Sequence, residues 1–118
     1  METKTRKYLE ILKIELEDLI YDLEFSENVL AKRLQEHEIT EYVFLENIGL
    51  LKKEILGIER IKLMLKESDK QIGSINELRD RIESYFQDEI KSAGLPDVVF
   101  LLISRKLEKV CRYMALDE

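Results

Sequence analysis

The chain has one proline and four glycines in 118 residues. A sheet protein of this length needs many tight reversals, and reversals draw on Gly, Pro, Asn and Asp. So few breakers predict a small number of long elements. A single cysteine, Cys111, excludes an internal disulfide. Set among apolar neighbours, it reads as a core position in a reduced compartment. A reactive thiol would need a lowered pKa, and Lys109 and Arg112 are the nearby cations that could supply one.

The lone histidine, His37, excludes the zinc patterns built on repeated His or paired Cys. It also fails the Glu-x-x-His spacing of helical di-iron sites, because Leu34 stands three residues before it. Between Glu36 and Glu38 it reads as a turn residue. It supports no Ser-His or Cys-His dyad unless distant groups converge on it. No Gly-rich phosphate loop is present, and no cofactor is expected. The longest unbroken apolar run, Val98 to Ile103, is too short to span a bilayer. Met1 to Lys7 leads into charged helix rather than an apolar leader, so a cytoplasmic location is expected, away from membranes.

What is abundant points one way. Apolar residues make up 45% and charged residues 37%, a balance that suits long helices with one buried and one solvated face. The length fits a single domain, residues 1–118. Leu9, Leu12, Leu16, Leu19 and Leu23 recur at three and four and predict a first helix from about Glu2 to Glu36. Tyr8, Ile11, Ile14 and Tyr21 widen its apolar face. Ser26 and Arg33 interrupt a strict heptad, which favours packing against several helices over a simple coiled coil.

Gln35 to Ile39 is the expected reversal, with Thr40 capping the next helix. Phe44, Ile48, Leu51, Ile55, Ile58, Ile61 and Leu65 carry that helix to about Glu67. Gly49 and Gly57 inside it would allow a close crossing, and Asn47 to Gly49 would allow a kink. Ser68 to Gly73 is polar. Ser74 with Glu77 forms a capping box for a third helix carrying Ile75, Leu78, Ile82, Tyr85, Phe86 and Ile90. Gly94 suits the left-handed residue that ends it. Pro96 and Asp97 open a fourth helix. Phe100, Ile103, Leu107, Val110 and Met114 hold helical spacing, so Val98 to Ile103 reads as helix rather than a lone strand.

The expected fold is therefore all-α: an antiparallel bundle of about four helices, two long and two shorter. A long hairpin overhangs a short one and leaves part of its apolar stripe uncovered. Large exposed apolar patches are rare on monomers, so a homodimer is expected to complete the bundle.

Chemistry is harder to find. Glu15, Asp18 and Asp22 share one face of the first helix, and so do Glu10, Glu17 and Glu24; with a facing helix either set could hold magnesium for a hydrolase. The simpler reading is a solvated face balanced by Lys13 and by cations of neighbouring helices. The net charge is −6, which opposes nucleic acid. Residues 1–94 carry 15 basic and 21 acidic side chains, and residues 95–118 carry four of each. Within that last stretch Arg105, Lys106, Lys109 and Arg112 make a positive strip on the fourth helix. It would meet phosphate, as a nucleic-acid-associated regulator requires, or an acidic partner surface. Tyr42 and Tyr113 are candidate interface anchors. The leading expectation is a helical scaffold that docks a protein partner non-covalently.

Overall fold

A computed structural model describes residues 3–68, 74–90, 92, 94 and 97–116. Among these described residues are four α-helices: α1 (Thr3–Gln35), α2 (Glu41–Ser68), α3 (Ile75–Tyr85) and α4 (Asp97–Leu116). No strand occurs among the described residues, and Val98 to Ile103 is helical. At both predicted helix starts the Thr40 and Ser74 hydroxyls cap the first turn. The Val43 N–H donates to Thr40 Oγ1 at 3.2 Å, and the Glu77 N–H donates to Ser74 Oγ at 3.2 Å. Each bond satisfies a donor that the first turn of a helix leaves free.

The turn after α1 is sharper than its sequence suggests. His37 takes φ 61°, in the left-handed region. The Glu38 N–H donates to the Arg33 carbonyl at 2.9 Å and the His37 N–H to the Leu34 carbonyl at 3.1 Å. This is the pairing of a Schellman C-cap, with histidine where glycine is usual. Gly94 is left-handed as expected, at φ 75°, but the helix before it stops sooner. α3 gives way at Phe86 to a π-helical turn over Phe86–Ile90. The expectations placed on Pro96 and on the loop 69–73 lie outside the described residues.

α2 runs unbroken through Asn47 and Gly49, so the kink does not occur. Asn47 Nδ2 donates back to the Val43 carbonyl at 2.8 Å, a bond that keeps its side chain on the helix surface. A Cβ at Gly49 would meet nothing within 4 Å, so no close crossing needs this glycine. Gly57, by contrast, is buried.

The core occupies one end of the long hairpin. Tyr8, Leu9, Leu12, Leu16, Leu19 and Ile20 of α1 meet Ile58, Ile61, Met64 and Leu65 of α2. Leu78, Ile82 and Phe86 come in from the α3 segment, and Val99, Ile103, Leu107 and Val110 from α4. Phe86 packs against Phe100 with ring centroids 4.9 Å apart, the separation of a favourable aromatic pair. Ion pairs set the antiparallel register of the long hairpin: Glu17 with Lys62 at 3.5 Å and Glu27 with Lys52 at 3.1 Å. Ten residues forward on α1 are thus ten back on α2, which puts Phe25 level with Glu54 and Val29 level with Leu50.

Beyond the core the same stripes continue with no further described helix over them. Leu23, Leu30, Phe44, Ile48, Leu51 and Ile55 are only half-buried. Ile14 and Tyr21, expected to widen the buried face, are exposed. They sit about half a turn away from the Leu12–Leu16–Leu19 stripe, where no described helix reaches them.

Candidate interaction surfaces

Two surfaces were candidates from the residues alone, and the structure treats them differently. On α4 the positive strip folds back on the protein. Lys106 Nζ lies 3.0 Å from Glu15 Oε2, and Lys109 Nζ lies 2.9 Å from Glu15 Oε1. Hydrogen bonds from Lys109 and Lys106 hold the Glu15 carboxyl below the usual carboxylate range, against the opposing effect of its partial burial. Two of the four predicted cations are therefore matched within the chain. Arg105 and Arg112 are exposed; Arg105 lies beside Glu83 and Glu108 in an open cleft. Tyr113, 59% exposed, borders a small cleft with Ile11, Glu15, Lys109 and Val110. Tyr42, 74% exposed, stands at the start of α2, far along the hairpin from this group. The six predicted interaction residues do not converge on one surface.

Three carboxylates of α1 are likewise matched by cations of other helices. Glu15 pairs with Lys106 and Lys109, Glu17 with Lys62 and Glu27 with Lys52. Among the described residues no three His, Cys, Asp or Glu side chains stand together as metal ligands would.

Cys111 has partners its neighbours in sequence did not suggest. The Arg79 guanidinium of α3 donates to Sγ at 2.7 Å, and the Tyr8 hydroxyl of α1 lies 3.4 Å from it. Tyr8 is fully buried; burial, and then its contact with Cys111, push its phenol pKa upward. The half-buried thiol thus joins three helices. Neither Lys109 nor Arg112 is the cation at the sulfur.

The second surface is the outer half of the long hairpin. Phe25, Val29 and Leu30 of α1 and Leu50 and Leu51 of α2 line an open groove of about 380 Å³, with Arg33, Asn47 and Glu54 at its margins. Phe25 is 62% exposed and Leu50 is 48% exposed. Burial pushes the Glu54 carboxyl pKa up, because a half-covered carboxylate loses hydration without gaining a cation. Sequence spacing marks Leu51 as an apolar-face residue, but not Phe25 and Leu50.

No known protein family matches the chain, and neither does any curated protein or solved structure.

Proposed function

We propose that the protein is a helical interaction module that docks an amphipathic helical partner on the outer half of the α1–α2 hairpin. The observation that carries this reading is the uncovered apolar groove. Its stripes are continuous with the core, yet Phe25, Val29 and Leu50 meet solvent. Burying such side chains stabilises a complex by roughly 25 cal/mol per Å² of apolar area, before the entropy of association is subtracted. A partner helix supplies the missing area without new backbone polar groups to satisfy.

The positive strip supports a phosphate-binding reading less well. Glu15 already compensates Lys106 and Lys109, which leaves Arg105 and Arg112 against a net charge of −6.

The test is a photo-reactive side chain placed at Leu50 in cells of the native host, with exposed Glu59 as the control position. Protein adducts at position 50, lost when Phe25 is changed to Glu, are expected. If position 50 captures no more protein than position 59, the groove is not a docking surface.

A further inference from the structure

Resting on that reading, we infer that the groove's occupant is the same groove of a second copy, related by a two-fold axis passing near Val29 and Leu50 with the hairpins antiparallel.

The argument begins with what covers the rest of the hairpin. In the core half, α4 lies against the flank of α1 that carries Ile11 and Glu15. Val29 and Arg33 come eighteen residues after these two, which is about five full turns. They therefore face the same way. The groove is the continuation of the flank that α4 covers.

Where that cover stops can be read from the contacts. α4 runs antiparallel to α1: Cys111 is beside Tyr8, and Lys106 is level with Glu15. The helix begins at Asp97, nine residues before Lys106. Its cover thus ends nine residues beyond Glu15, near Glu24, one residue before the groove opens at Phe25. From Phe25 to the end of α1 at Gln35, about 16 Å of hairpin has no further described helix over it.

A second copy fits that length. An axis at Val29 carries Gln35 of the second copy to the level of residue 23, so its tip would abut the end of α4. The second hairpin would occupy, along the outer half, the place that the α3–α4 segment occupies in the core.

Charge agrees with this arrangement and not with the parallel one. Arg33 stands at the tip end of the groove, and Glu54 at the core end, level with Phe25. Both lie about four residues, some 6 Å, from the Val29–Leu50 level, on opposite sides of it. The two-fold places each Arg33 opposite the Glu54 of the other copy, twice over. A parallel pairing would leave each Arg33 about eight residues, some 12 Å, along the hairpin from the Glu54 of the other copy. Within one chain Arg33 has only a loose contact with Glu38, 3.9 Å away with both side chains 56% exposed. Such a contact contributes little and is readily exchanged. Glu54 has no ion pair among the described residues.

The strip from Phe25 to Gln35 is about 16 Å long and two helices wide, so a pair buries on the order of 1,000 Å² in total, at the low end of specific interfaces. Association is expected in the micromolar range.

The test is sedimentation equilibrium of the purified chain from about 1 to 500 µM. Wild type is expected to dimerise within that span. Arg33→Glu and Glu54→Arg should each weaken the dimer at least tenfold, and the double variant should recover to within about threefold of wild type. Circular dichroism of each variant checks the fold; should Glu54→Arg unfold, Glu54→Gln paired with Arg33→Gln replaces it, with loss and no rescue expected.

Orientation is read with Cys111→Ser as background. Leu50→Cys, near the axis, should form a disulfide dimer and Arg33→Cys should not. Cross-linking at both positions would mean parallel pairing and would overturn the inference. So would a wild type monomeric at 500 µM, or a double variant weaker than both singles. A monomeric chain whose position 50 still captures another protein in cells would overturn self-docking alone and leave the docking reading standing.

Discussion

Replacing His37 with glycine should stabilise the fold, and the size of the effect follows from one backbone angle. At φ 61° an L-residue brings its Cβ close to the following carbonyl oxygen, at a cost of roughly 1–2 kcal/mol that glycine avoids. Glycine also widens the unfolded ensemble, which returns about 0.4–1 kcal/mol of that gain. The net expectation is a stabilisation of about 0.5–1 kcal/mol. The two cap hydrogen bonds at 2.9 and 3.1 Å are made by backbone and survive the change. For a chain of 118 residues, that gain raises Tm by about 2–4 °C. Urea titration and thermal melts, run at one protein concentration for every variant, measure it. His37→Val supplies the opposite control, since a β-branched residue resists the left-handed region; it should destabilise by more than 1 kcal/mol. A neutral or destabilising His37→Gly, with the valine variant no worse, would refute the C-cap geometry.

Other consequences are equally direct. Gly49→Ala should stabilise α2 by about 1 kcal/mol, because the new Cβ meets open space and alanine is the better helix former; a loss would mean the helix is not continuous there. Ile61→Ala, in the fully buried core, should cost about 3–4 kcal/mol by urea titration. Ile48→Ala, half-buried on the outer hairpin, should cost no more than about 1–2 kcal/mol. Equal costs would contradict the one-ended core. Glu15→Gln should cost about 1 kcal/mol near neutrality, because Lys109 remains half in solvent. The Glu15 pKa lies below its ordinary 4.5 in the folded state. Its contribution is therefore complete above that value and disappears as pH falls through the folded value. The stability difference between wild type and Glu15→Gln should shrink as pH falls from 5 towards 3, and a constant difference would exclude the linkage.

Much of the candidate surface was legible only in outline. Unequal helix lengths predicted an overhang with uncovered apolar side chains, and Phe25 and Leu50 are such side chains. Neither was legible as a groove residue, because each lies off the main stripe and becomes a wall only when α1 and α2 stand side by side. The positive strip was legible as charge, but not its capture by Glu15, which is 91 residues from Lys106. Arg79 at Cys111 was invisible for the same reason.

Residue order alone determined what is local. Spacings of three and four specify helices, Thr40 and Ser74 start them, and Gly94 supplies a left-handed turn, because each interaction closes within a few residues. Leu12–Leu16 and Ile48–Leu51 show the same kind of pattern, yet the first pair is in the core and the second is not fully covered. Periodicity says which side of a helix is apolar and nothing about how far its neighbour extends. That length was decided by the tertiary structure, through the register at which α4 lies along α1. Partners distant in sequence were decided there too, since only packing brings Glu15 to Lys106 and Lys109, or Tyr8 and Arg79 to Cys111.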